Sequence, residues 1–193
     1  MPVRRCLALV LVPLFLACGN PDNIVQGGIS ATSTQPVAIF NDIKSAESGV
    51  TFLSDANGKH LQQVSVIALS DHPKLCDQLK AHPTDYFRNP PEGFVAILLF
   101  APVDKIGTFV IGRTNDEGTF AEVIATNGPP GPSQPYYAGQ GEVNLNNFDL
   151  TADGFGRGGF DVLVSDGAGF GHEFFGRFRT HVCPGGFDNQ LLP

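Results

Sequence analysis

The chain has 193 residues, 42% hydrophobic and 16% charged, enough for one domain with a real core and too few for two comfortable ones. Lys and Arg number 12 against 19 Asp and Glu, a formal net charge of -7. That balance argues against a nucleic-acid binder or a reader of anionic membrane surfaces, which need basic patches, and 16 Phe exclude a fully disordered chain.

In chain order, residues 1–17 read as an export signal: Arg4 and Arg5 precede an apolar run that ends at Ala17. That run falls short of the roughly 20 residues a membrane-spanning helix needs, and Pro13 interrupts it. Leu14-Phe15-Leu16-Ala17-Cys18 resembles a bacterial lipobox, with Phe15 where Leu is usual. The resemblance implies that Cys18 is acylated and becomes the mature N-terminus. Each buried acyl methylene contributes about 0.8 kcal/mol, so such an anchor would hold without a transmembrane segment. Plain secretion is the alternative. Residues 18–36 are small and polar with no sustained apolar period, and read as the lipidated cysteine followed by a flexible tether.

Residues 37–193 read as a single β domain. Short apolar runs alternate with turn residues, predicting strands near 37–44, 50–54, 61–69, 94–101, 107–112, 118–126, 141–148, 158–165 and 172–182. Val95, Ile97 and Leu99 share one strand face, as do Phe160, Val162 and Val164. Between the third and fourth runs lies one helical signature: Asp71 as cap, Pro73 in the first turn, and Leu75 and Leu79 on one face beside Cys76, stopping before Pro83. The stretch 127–137 is proline-rich and reads as a stiff connection outside any ladder, with Tyr136 and Tyr137 as candidate amphipathic contact residues. The fold class is therefore all-β, an antiparallel sandwich or barrel of about nine strands with one short helix.

Cys6 leaves with the signal and Cys18 takes the lipid, so Cys76 and Cys183 remain, and in an exported domain two such cysteines most simply form a disulfide. Two other readings use the same thiols. His72 with Cys76 and His181 with Cys183 supply a two-Cys, two-His zinc set; alternatively, His72 activates Cys76 as a nucleophile. A metal-dependent or Cys/His enzyme would draw on His72, His82, His172 or His181 gathered in a cleft. His172-Glu173 lacks the second histidine of a zinc-protease helix, and Gly154–Gly159 runs into a strand rather than a phosphate-binding helix. Asp153, Asp161 and Asp166 read as solvated turn carboxylates, since the spaced ligands of a calcium loop are missing. Arg177 and Arg179 share a strand face with His181, a pattern that more often blunts an edge strand or covers a sheet with the side-chain stems than receives an anion.

Ile67-Ala68-Leu69-Ser70 with Cys76, then Gly141–Leu145, Gly158–Asp161 and Gly176-Arg177-Phe178 leading to Cys183, form a pattern similar to a loosely defined group of β-rich lipoproteins exported by Gram-negative bacteria. The resemblance spans most of the chain and implies an envelope location, a β-sandwich or barrel and a bridge between the two late cysteines. It implies no activity and no cofactor. The expectation is an exported cell-envelope lipoprotein, anchored to the membrane through Cys18, with a non-enzymatic structural or interaction role. Its partner would be a protein or a small apolar ligand, with no nucleic acid. A β-barrel that carries a small apolar ligand is the alternative function.

Overall fold

The alternation that marks residues 158–165 and 172–182 becomes a long antiparallel hairpin in the computed structural model, which describes residues 23–32, 35–39, 43–54, 60–103, 105–111, 119–125, 134–165 and 171–190. The export signal, Cys6, Cys18 and Asp166 lie outside the described residues. The elements are β1 (Ile24–Thr32), β2 (Gln35–Ile39), β3 (Ser45–Ser54), β4 (His60–Ser70), α1 (Leu75–Ala81), β5 (Val95–Pro102), β6 (Gly107–Val110), β7 (Phe120–Ala125), β8 (Gln134–Phe148), β9 (Phe155–Ser165) and β10 (Gly171–Val182).

All nine expected strands have a counterpart, and β1 is additional. It occupies part of the stretch that composition assigns to a tether, and pairs antiparallel with β10 from Ile24–Arg177 to Gly27–Phe174. The paired residues begin with Ile24 and Val25, and Val25 packs against the first apolar cluster. Gly176 provides the room, since a Cβ there would collide with the carbonyl oxygen of Ile24.

The strand order is β2-β1-β10-β3-β4-β5-β7-β8-β6, with β9 paired to both β8 and β10. The expectation of a purely antiparallel sheet needs correction: β10 and β3 run parallel, in register at His181–Glu47 and Val182–Ser48. This link joins the C-terminal hairpin to the middle of the chain, and it is also where the backbone N–H of Cys183 donates to the carbonyl of Ser48 at 2.8 Å.

Two apolar clusters occupy the two faces of the sheet. Ile67, Leu69, Ile97, Leu99, Val123, Val143, Phe160, Phe174 and Phe178 belong to the first, and Val66, Ala68, Leu98, Phe100, Phe120 and Ile124 to the second. Period two explains the division, because neighbours along β4, β5 and β7 fall on opposite sides. The second face is covered by Leu75 and Leu79 of α1, by Tyr86, Phe87 and Phe94 of the following segment, and by Phe187 near the C-terminus. The Phe87 and Phe187 rings stack at 6.3 Å between centroids. Gly49 of β3 admits Phe187 beneath it, since a Cβ there would lie 2.5 Å from the ring.

Helix α1 has only seven residues and is held by tertiary contacts rather than by its own propensity. The expected Asp71 cap is corrected: Lys74, at φ 59° and ψ 39°, occupies the N-cap without a side-chain bond. Ser45 Oγ of β3 instead accepts from the Leu75 N–H at 3.0 Å. Asp71 Oδ1 accepts from the Val95 N–H at 2.9 Å and lies 2.8 Å from His72 Nδ1, so it ties the end of β4 to the start of β5. At the other helix end, Gln190 Nε2 donates to the carbonyls of His82 at 2.8 Å and Leu79 at 3.3 Å. These carbonyls lack partners within so short a helix, and the C-terminal segment supplies one.

Candidate functional site

Cys76 of α1 and Cys183 just after β10 are bonded, with S–S 2.10 Å and Cα–Cα 5.5 Å across a separation of 107 residues. The bond consumes both thiols. The zinc set of His72, Cys76, His181 and Cys183 and the His72-activated nucleophile are therefore corrected, because each needs a thiolate. Among the described residues no three His, Cys, Asp or Glu side chains are grouped as a metal site. His72 packs against Phe94 at 5.4 Å and His82 against Tyr86 at 6.1 Å, whereas His172 and His181 belong to β10.

Tyr136 and Tyr137 are also relocated. Both lie in β8, where they pair with Val123 and Glu122 of β7, and Tyr136 packs half-buried against the first apolar cluster. Pro135 pairs with Ile124 in the same ladder, so the proline-rich stretch ends inside the sheet rather than before it.

Two carboxyl groups beneath the second face have raised pKa values. Glu122, between Phe120 and Ile124 on β7, is 1% exposed, and burial pushes it up to about 8. Its Oε1 has no hydrogen-bond partner. A desolvated carboxyl in such a place stays protonated at neutral pH. Glu47 of β3 is pushed up to about 7, chiefly by burial and against the opposing bond from Ser45 Oγ at 3.3 Å. The Tyr86 hydroxyl is raised to about 12 by burial and by nearby Asp71.

An ordered array of exposed charged side chains lies on the outward face of β8, β9, β10 and β1. Along β9 and β10 the inward residues are Phe160, Val162, Val164, Phe174 and Phe178, so the alternate residues face solvent. Cross-strand register arranges them in rows. Leu163 pairs with Glu173, Asp161 with Phe175, Gly159 with Arg177, Arg157 with Arg179 and Phe155 with His181. Glu142 of β8 pairs with Asp161 on the other side. One end of the face is thus acidic, with Glu142, Asp161 and Glu173, and the other basic, with Arg157, Arg177 and Arg179. Phe175 and Leu163, at 42% and 40% exposure, add apolar surface near the acidic end. Arg179 lies over the Phe155 ring at 4.8 Å from its centroid.

Arg177, Arg179 and His181 do share a face, as the sequence implies, but β10 is no edge strand: β1, β9 and β3 all pair with it. Blunting an edge is therefore not their role. Arg157 is absent from the sequence-level set, although the period of β9 and a hairpin register would have placed it opposite Arg179. Like charges directly opposite one another in a ladder are unfavourable, which makes the Arg157–Arg179 pair a feature of the surface rather than a stabiliser of the fold.

Comparison of the chain with family models, curated proteins and solved structures finds no match.

Proposed function

We propose that the protein is an exported cell-envelope lipoprotein, acylated at Cys18 and held at a membrane, whose β domain acts by structure or interaction rather than by catalysis. The observation that carries this reading is the Cys76–Cys183 disulfide, a bond that persists in oxidising compartments and is rare in reducing ones. The leader and the lipobox-like Leu14–Cys18 stretch support it from the sequence. No transmembrane helix is needed for an acyl anchor, and none of the described helices is long and apolar enough to cross a membrane. The kinship with β-rich Gram-negative lipoproteins belongs to the same reading. Fractionation tests it: the native chain should stay with the membranes and carry a lipid-sized mass on Cys18, and Cys18→Ser should move to the soluble fraction. A native chain without lipid, or a Cys18→Ser chain still in the membranes, would remove the anchor.

A second reading is a barrel-like wrap that carries a small apolar ligand. It is favoured by β9, which pairs with both β8 and β10 although these lie far apart in the strand order. Against it, Phe160, Phe174 and Phe178 pack with Ile97, Leu99 and Val143 into one cluster and occupy the space that a ligand would take. Extraction of the purified protein with organic solvent and mass analysis decides it: a stoichiometric apolar compound supports the carrier, and an empty extract excludes it.

A further inference from the structure

The outward face of β8, β9, β10 and β1 carries opposite charges at its two ends, and that order has a geometric consequence. On β9, Asp161 and Arg157 are four residues apart, about 13 Å along the strand, too far to pair with each other within the chain. On β10, Glu173 and Phe175 lie towards the same end as Asp161, while Arg179 and His181 lie with Arg157. The Gly159–Arg177 row lies midway. A rotation by half a turn about an axis that crosses the strands at this row, in the plane of the face, lays each row on its opposite. Asp161 meets Arg157, Phe175 meets Arg179, Glu173 meets His181 and Leu163 meets Phe155. Every one of these juxtapositions is favourable: carboxylate on guanidinium, aromatic ring on guanidinium, carboxylate on imidazole and apolar on apolar. At the axis Arg177 meets the Arg177 of the other copy, the one unfavourable juxtaposition, and Gly159 beside it has no side chain, which leaves room for the two guanidinium groups to turn apart. An axis along the strands would instead set acid on acid and base on base.

We propose that this face is the contact surface of a two-fold symmetric dimer, with a second copy of the chain as its partner and Asp161 of each copy paired with Arg157 of the other. This names the partner for the interaction role proposed above, and it does not depend on acylation of Cys18. An isologous contact requires a self-complementary patch, and this one is self-complementary in a single orientation. Three strands about 4.8 Å apart and about eleven residues long, with the four residues of β1 that pair with β10 beside them, give a face of roughly 600 Å² on each copy. A standard interface buries about 800 Å² per partner, so this face is smaller than standard and the dimer is a weak one.

The test is sedimentation of the purified, oxidised chain from about 1 to about 300 µM, a span that reaches weak association. The native protein should pass from monomer to dimer. Asp161→Arg alone and Arg157→Asp alone should each remain monomeric, since each places like charges across the axis. The mixture of the two single variants, and the chain that carries both substitutions, should recover the dimer because the pair is restored with its sign reversed. Both residues are exposed, and unchanged melting of the variants confirms that the fold is intact. A native chain that stays monomeric, single variants that dimerise as well as native, or loss without recovery in the mixture would each overturn the proposal. So would a monomer that uses the Arg157 end to bind vesicles of anionic phospholipid. A soluble, unacylated chain that dimerises keeps this inference and removes only the anchor.

Discussion

Strand β5 and the β9–β10 hairpin are built from similar apolar residues, yet they are embedded differently. From Val95 to Ala101 every residue of β5 is buried, because one face meets the first cluster and the other is roofed by α1, the Tyr86–Phe94 segment and Phe187. In β9 and β10 only alternate residues are buried, and the others meet solvent. The sequence difference is direct: Val-Ala-Ile-Leu-Leu-Phe-Ala has no polar position, whereas Phe-Asp-Val-Leu-Val and Phe-Gly-Arg-Phe-Arg place Asp161, Arg177 and Arg179 on the outer side, beside the exposed Leu163 and Phe175. The roof therefore marks the part of the sheet given to stability, and the bare hairpin marks the part available for contact.

The contrast breaks most visibly at large side chains. Phe100→Ala, which removes one ring of the Phe100–Phe120 stack at 4.0 Å, should cost about 3–5 kcal/mol in denaturant unfolding. Phe175→Ala on the bare face should cost far less. If the two substitutions had equal cost, the distinction between roofed and bare strands would be lost. Next in size is the staple of the roof: Cys76→Ser with Cys183→Ser should lower stability by about 2–5 kcal/mol, with loss of α1 before the β9–β10 hairpin in hydrogen exchange.

Glu122 sharpens the comparison through pH. In the fold it is pushed up to about 8 by burial, whereas an unfolded glutamate titrates near 4.5, so between these values the folded chain holds a proton that the unfolded chain has released. Stability therefore falls as pH rises from about 4.5 to about 8, by up to about 1.4 kcal/mol per unit, and levels off above. Glu47, raised to about 7, acts in the same direction and more weakly because it is partly solvated. Glu122→Gln should flatten most of the slope and be more stable than native at alkaline pH. A variant with the native slope would show that Glu122 is ionised in the fold. The smallest effect is expected at Leu163→Ser on the bare face, within about 0.5 kcal/mol in the monomer, measured by thermal unfolding at low concentration.

Much of this arrangement is legible in the residues. Alternation locates β9 and β10, the unbroken apolar run marks β5 as covered on both sides, and the count of cysteines leaves Cys76 and Cys183 to pair. What is hidden depends on partners distant in sequence. Strand β1 shows no sustained apolar period because only four of its residues pair with β10 and only Val25 among them packs on the core, and Gly176 marks the close approach. Asp71 looks like a helix cap until the start of β5 brings the Val95 N–H within its reach. Pro135 reads as a break, yet it lies in the β7–β8 ladder, paired with Ile124. Arg157 becomes part of a charged face only once the hairpin register sets it opposite Arg179. Glu122 reads as a surface residue from its type, and it is buried because both neighbours on its face, Phe120 and Ile124, are core residues.

The roof and the parallel β10–β3 link both converge on one covalent bond. Thiol alkylation of the protein taken from its native compartment, followed by mass analysis before and after reduction, tests it directly. Cys76 and Cys183 should be unmodified until reductant is added and then both take the label. Labelling of either cysteine in the folded, unreduced protein would contradict it.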